Sequence, residues 1–306
     1  MTNSKSLSGK VIAITGAGRG IGKEIALLCA QEGAAIIVND FGKSLAGQGS
    51  DEGVATEMTA AIKAAGGDAF ANSADVSDPD GAESVIADAI EQFGRIDAVV
   101  NNAGISRDVI FHKMNHQDWL AVINVQLTGC FNISRAAAPY FREQNSGSLV
   151  HMTSTSGLIG NVGQANYSAA KMGIVGLSNS IALDMNRFGV RSNCIAPFAW
   201  SRMTDSIPED SPAAKERVKR LKSMTADKVA PLAAYLCSDS SAQVSGQIFC
   251  VRRNEIFLFQ MPRPVRSMHR EEGWTVESIA NDLIPAFEPS LSPLEVSGQV
   301  FSWDPI

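Results

Sequence analysis

Residues 11–33, VIAITGAGRGIGKEIALLCAQEG, constrain the fold more tightly than any other stretch. Val11 to Thr15 is an apolar, β-branched run without polar alternation, as expected of a strand buried on both faces. The turn Gly16-Ala17-Gly18-Arg19-Gly20-Ile21-Gly22 follows at once, and from Glu24 apolar residues recur at helical spacing until Gly33, a C-cap. Strand, glycine turn and helix therefore abut, the arrangement that brings backbone N–H groups at a helix N-terminus against a pyrophosphate. Gly16, Gly18, Arg19, Gly20, Ile21 and Gly22 are the expected contacts, with a merely tight βα turn as the plain alternative. A P-loop is excluded, because Glu24 follows Gly22-Lys23 where Ser or Thr is needed and Ala17 stands where the first Gly is needed.

The alternation continues along the chain. Strands are expected at 35–39, 69–72, 97–100, 149–152, 190–195 and 247–251, and helices at 52–65, 79–93, 116–143 (interrupted by Pro139) and 164–187. Such a series predicts an α/β fold with a doubly wound parallel sheet. Asp40 ends the second strand about 20 residues past the glycine turn, where a carboxylate accepts from ribose hydroxyls and repels a 2′-phosphate. No Arg or Lys immediately follows it, so NAD is favoured over NADP; an Asp capping a turn before Gly42 is the bland reading. A long polar loop, 41–53, follows. Asp75 and Val76 fall at the exit of the third strand, at the edge where an adenine ring would lie. After the fourth strand, Asn101-Asn102-Ala103-Gly104 combines an amide that can pin backbone with small residues that leave room for a flat ligand.

Composition narrows the partners. A net charge of −6 gives no electrostatic case for nucleic acid or an anionic membrane. The polar N-terminus and the lack of any long apolar run point to a cytosolic protein. Five scattered cysteines fit reduced core thiols. His112 and His116 share helical spacing but have no nearby third ligand, so no metal site is expected.

The chemistry is concentrated in TSTSGLIGNVGQANYSAAK, residues 153–171. Tyr167 and Lys171 lie one helical turn apart on one face, and a cation beside a phenol favours the phenolate. Ser154 stands at the exit of the preceding strand. Asn124 sits in mid-helix among apolar neighbours, where an amide needs a partner. His151 precedes Ser154, but without a GxSxG elbow a serine hydrolase is a poor reading.

TGAGRGIG (15–22), Asp75, NNAG (101–104), Asn124, Ser154 and YSAAK (167–171) together resemble the short-chain dehydrogenase/reductase family over roughly residues 8–250, in the family's order and with its Ser-to-Tyr spacing. The resemblance implies a Rossmann-type fold over 8–252, commonly a homodimer or homotetramer, that moves hydride between NAD(P) and an alcohol or carbonyl. It implies Tyr167 as the base, Lys171 as the group that lowers the Tyr167 pKa and binds the nicotinamide ribose, Ser154 as the holder of the reacting oxygen, and Asn124 as the anchor of a water reaching Lys171. Where the family often has Pro-Gly and then Thr, this chain has Pro197-Phe198-Ala199-Trp200-Ser201, so Ser201 is the stand-in. Residues 198–224 are expected to form a substrate lid, with Trp200, Met203 and Ile207 as apolar lining.

Residues 253–306 form a C-terminal extension, read as an extended arm followed by a helix, packed on the core or on another subunit. VSGQVF (296–301) echoes VSGQIF (244–249), too briefly for a repeat. Arg263, Arg266 and Arg270 read as a solvated basic face or a receiver of an acidic substrate group. The VND ending of strand two, the insert after it and the arm resemble the (3R)-hydroxyacyl-CoA dehydrogenase part of the multifunctional enzyme of β-oxidation and its single-domain bacterial relatives. The expected activity is therefore NAD-dependent oxidation of a secondary alcohol on a bulky apolar substrate, a 3-hydroxyacyl-CoA first. A hydroxysteroid or cyclic alcohol is the second reading, and a non-catalytic dinucleotide-binding protein the reading from another class.

Overall fold

The structure is a computed structural model that describes residues 5–44, 46–199 and 210–306, and the backbone only at 212–214 and 217. The first half alternates strictly: β1 (Val11–Thr15), α1 (Gly20–Gln31), β2 (Ala35–Asn39), α2 (Gly53–Ala64), β3 (Asp68–Asn72), α3 (Pro79–Phe93) and β4 (Ala98–Asn101). Then come α4 (His116–Ile123), α5 (Gly129–Gln144), β5 (Gly147–Met152), the single turn α6 (Thr155–Leu158), α7 (Ala165–Met185) and β6 (Val190–Phe198). Helices α8 (Pro212–Lys222) and α9 (Ala230–Cys237) precede β7 (Ile248–Arg252) and β8 (Glu255–Phe259). The extension ends in α10 (Val276–Ser278), α11 (Ile284–Phe287) and α12 (Ser297–Val300).

The strands form one sheet in the order β3-β2-β1-β4-β5-β6-β7-β8, parallel except for the last pair. Successive residues of each strand face opposite layers. Ile12 and Ile14 pack with α1, α2 and α9, whereas Val11 and Ala13 pack with α3, α5 and the far end of α7. Each fully buried Ile or Val of these two layers contributes about 1.5–3 kcal/mol. Caps fix the helix starts: Asp78 accepts from the Gly81 N–H ahead of Pro79, and Asn115 accepts from the Asp118 N–H. All five cysteines are free and buried, as expected of core thiols. Among the described residues no helix is long and apolar enough to cross a membrane.

Three expectations need correction. Pro139 does not interrupt α5: it is exposed, so water can satisfy the carbonyl one turn back that lacks its N–H partner. The irregularity lies earlier, in a π-helical turn at Asn124–Thr128 between α4 and α5. Strand β6 runs on through Pro197 to Phe198, because β5 ends opposite Ile195 and no strand on that side asks Pro197 for an N–H.

The extension is more than an arm and a helix. It begins as β8, which turns back on β7 through Arg253-Asn254 with Arg253 at φ +56°. That pair lacks the Asn-Gly or Asp-Gly signature of a tight hairpin, which is why the strand is hard to see in sequence. The basic residues of the arm are engaged locally: Arg266 donates to the Ala286 carbonyl and Arg270 pairs with Asp282 at 2.6 Å.

The tightest packing constraint on the sheet is Gly147 at the start of β5, where a Cβ would stand 2.3 Å from Cγ of the fully buried Phe141. Gly147→Ala is expected to lose about 1–3 kcal/mol in urea unfolding through overpacking, and a loss below about 0.5 kcal/mol would show that the ring can move aside.

Candidate active site

The residues singled out in the sequence gather at the carboxyl ends of the parallel strands. Gly16, Arg19, Asp40, Asp75, Val76, Asn102, Ala103 and Gly104 line one cleft of about 760 Å³, counting the part open to solvent. The glycines fit a ligand that approaches backbone. A Cβ on Gly18 would meet Val54 Cγ1 at 2.2 Å and one on Gly22 would meet the Gly16 carbonyl oxygen at 2.2 Å, while Gly20, at φ +53°, faces open space. Helix α1 starts behind Arg19 without a side-chain cap, so Gly20, Ile21 and Gly22 present unpaired N–H groups and the positive end of the helix dipole. These features suit a pyrophosphate.

Thr15 sets the width of the cleft. Its hydroxyl accepts from the Asn102 and Ala103 N–H groups, both at 3.0 Å, and the Asn102 amide donates back to the Thr15 and Gly16 carbonyls. Sequence reasoning passed over Thr15, whose only signal is a hydroxyl at the strand exit. Asp40 is fixed by the Gly18 N–H at 2.9 Å and the Gly42 N–H at 2.8 Å. Lys43, three residues past Asp40, was also missed. It lines the same cleft, pairs with Asp75 and lies 4.6 Å from the Phe41 ring centroid. Lys43 and the Ser77 hydrogen bonds hold the Asp75 carboxyl below its usual range against the upward pull of burial, the largest single effect.

Ser154 caps α6, accepting from the Ser156 N–H at 3.1 Å, and α7 presents Tyr167 and Lys171 beside it. The Tyr167 ring keeps partial exposure, but its hydroxyl sits deep among protein atoms. Burial pushes the phenol up to about 12, opposed by the neighbouring Ser154 hydroxyl. Lys171 is buried, donates to the Met152 carbonyl at 2.6 Å and lies 5.5 Å from the Tyr167 ring centroid. Its burial pulls the ammonium down from 10.5 to about 8. Without a bound cofactor the Tyr167 pKa is therefore raised by burial rather than lowered.

Asn124 does not reach this site. It is exposed on the π turn, and the buried amide is two residues on: Gln126, 3% exposed, donates through Nε2 to the Ile105 carbonyl at 2.9 Å. Its Oε1 has no partner, and it lines a narrow cavity with Lys171, Thr15, Asn101 and Cys130 that shares Val76, Ala103 and Val125 with the cleft. The extra residue of the π turn changes which side chain points inward. Pro197 is not among the residues lining the cleft, and Trp200, Ser201, Met203 and Ile207 lie outside the described residues.

Fold and site together define an oxidoreductase that uses a dinucleotide. Over residues 10–211 the sequence matches the family profile described as short chain dehydrogenase, and the chain belongs to that family. It acts on CH–OH groups with a nicotinamide dinucleotide. It is similar to the peroxisomal hydratase-dehydrogenase-epimerase of Saccharomyces cerevisiae, 43% identical over 249 residues, which are 81% of this chain but only 26% of that protein. Hydroxyacyl-CoA dehydrogenase ChsB1 of Mycobacterium tuberculosis is 38% identical over 273 residues, 87% of this chain and 84% of its own. A crystal structure of a short chain dehydrogenase from Mycobacterium avium superposes with a TM-score of 0.82 at 35% identity, covering 94% of this chain and 98% of that one.

The depressed Lys171 pKa links stability to pH. The unfolded chain holds this proton up to about 10.5 and the folded chain only to about 8, so folded stability rises with pH across that window. Below about 8 the buried ammonium opposes folding in full. In cofactor-free protein the Tm of the wild type, measured relative to Lys171→Met, is expected to increase between those two pH values. A difference independent of pH would contradict the assignment.

Proposed function

We propose that the protein oxidises the secondary alcohol of a 3-hydroxyacyl-CoA to a ketone with NAD. The observation that carries the chemistry is the buried Lys171 ammonium 5.5 Å from the Tyr167 ring, on the helix that presents both beside Ser154 at the strand ends that border the cleft. In this reading the Ser154 hydroxyl holds the reacting oxygen and Tyr167 takes its proton. Lys171 supplies the nearby positive charge the phenolate needs and binds the ribose of the nicotinamide. When bound, the oxidised nicotinamide accepts the hydride, so the products are ketone, reduced cofactor and a proton. Gln126 takes the part that the family resemblance gave to Asn124: its free carbonyl oxygen is an acceptor for a water on the cavity side of Lys171.

The NAD preference rests on Asp40, whose two oxygens are held in the cleft while the charge of Lys43 is committed to Asp75. Gly16, Gly18, Arg19, Gly20, Ile21, Gly22, Asn102, Ala103 and Gly104 complete the binding surface. The substrate class rests on similarity to proteins named for hydroxyacyl-CoA dehydrogenation. Assembly as a homodimer or homotetramer belongs to the same reading. The outer face of edge strand β8, with Ile256 and Leu258 61% and 62% exposed, is the apolar surface it would cover, and sedimentation velocity is expected to show no monomer at micromolar concentration.

A panel of 3-hydroxyacyl-CoAs and free hydroxysteroids, assayed with NAD and NADP by the appearance of the reduced nucleotide, tests the activity. Thioester turnover with NAD is expected. Turnover of free steroids alone would replace the substrate, and activity with NADP alone would remove the Asp40 argument. Tyr167→Phe is expected to lower kcat by at least about 100-fold without weakening NADH binding, and Gln126→Leu by about tenfold. Unchanged rates in Tyr167→Phe would leave a dinucleotide-binding protein without this chemistry.

A further inference from the structure

Segment 296–306 is a strap that runs from the turn after α6 to the β7–β8 hairpin. Its inner end grips the turn that follows Ser154: the Ser297 N–H and hydroxyl both reach the Gly160 carbonyl, at 3.1 and 3.3 Å. Phe301, 8% exposed, forms a small apolar cluster with Ala196 and Cys250, against which Leu158 and Ile159 pack, and meets the rings of Phe198 and Phe257 edge-on at 5.1 and 5.2 Å. Its outer end is fastened to the β7–β8 turn, where the Trp303 indole donates to Glu255 at 2.8 Å and Arg253 donates to the Pro305 carbonyl at 3.0 Å. Arg220 of α8 reaches Asp304 at 3.1 Å.

The gripped element is the one that carries the reacting hydroxyl. Ser154 is the cap of α6, whose last residue, Leu158, and its neighbour Ile159 rest on the cluster that Phe301 completes. A turn of four residues has too few internal hydrogen bonds to hold its own orientation. Farther on, Ser156 accepts from Asn161 and donates to Gln164, which precedes α7, so a shift of the turn would be felt between Ser154 and Tyr167.

We propose that segment 296–306 is a positioning element for catalysis, holding α6 so that the Ser154 hydroxyl meets the substrate oxygen at the distance set by Tyr167. This rests on the roles given to Ser154 and Tyr167 above, and it adds a part of the chain beyond the family profile to the machinery of the site. None of these residues lines the cleft that holds Asp40 and the glycine turn.

Ser297→Pro is a selective probe. Ser297 is the first residue of α12, where proline fits, and Val296 is already extended at φ −98°, ψ 160°, so the change removes both bonds to Gly160 without refolding the strap. Full-length wild type, Ser297→Pro, Phe301→Ala and Phe301→Leu are compared for kcat, for NADH dissociation constant by fluorescence, and for amide hydrogen exchange at 155–160. Ser297→Pro and Phe301→Ala are each expected to lower kcat about tenfold, with NADH affinity within about twofold of wild type and faster exchange at 155–160. Phe301→Leu is expected to recover most of the rate. Wild-type kcat in both variants, unchanged exchange at 155–160, or a parallel loss of NADH affinity would each overturn the proposal. If the wild type turns over none of the panel, the substrate reading fails, and the exchange measurement alone decides whether the strap holds the turn.

Discussion

The site depends on the point where strand order reverses. β1 pairs with β2 on one side and β4 on the other, so the loops leaving β1 and β4 must diverge to opposite layers and open a crevice between them. Ladder hydrogen bonds end there, and a side chain takes over. The Thr15 hydroxyl satisfies two backbone donors of the β4 loop, and the Asn102 amide satisfies two carbonyls of the β1 loop. The two lips are thereby held at fixed separation, and the uncapped end of α1 and the Asp40 carboxylate stand at fixed places along them.

Beyond the crevice the fold manages charge by burial. Lys171 is the buried ammonium of the site, held by one carbonyl. Behind it, fully buried His151 accepts from the Asn101 amide at Nδ1 and faces Ser192 at Nε2, and burial with the nearby Lys171 pushes its pKa down to about 3. The imidazole is therefore neutral at any physiological pH and joins β4, β5 and β6 by hydrogen bonds without placing a second cation beside Lys171. Burial thus moves the Tyr167 and Lys171 pKa values in opposite directions, each toward its neutral form.

The extension packs against the β7 edge of the sheet and the turn that follows Ser154. β8 adds an antiparallel strand, and the rings of Phe257 and Phe259 point toward Phe301. Arg252, 5% exposed, lies within 6.0 Å of the rings of Phe198, Phe301 and Trp303, and its Glu255 partner gives the buried guanidinium a counter-charge. The cluster is an aromatic clamp around one cation, with its apolar side against the turn that follows Ser154.

Local sequence determined what local physics can decide. The buried β-branched runs, the glycine turn with its helix, the Pro79 helix start and the one-turn spacing of Tyr167 and Lys171 follow from residues within a few positions of one another, and the strands and helices of the first half stand where those patterns put them. Three features were decided only by the tertiary structure. Whether Asn124 or Gln126 faces Lys171 depends on a π turn, which both amides satisfy equally well in sequence and which only packing between α4, α5 and Gly104 selects. The direction of the Tyr167 and Lys171 pKa shifts depends on how much protein surrounds them, and here desolvation dominates. The place of segment 296–306 depends on contacts with Gly160 and the cluster against which Leu158 and Ile159 pack, more than a hundred positions away, and no periodicity in the extension encodes a partner at that distance.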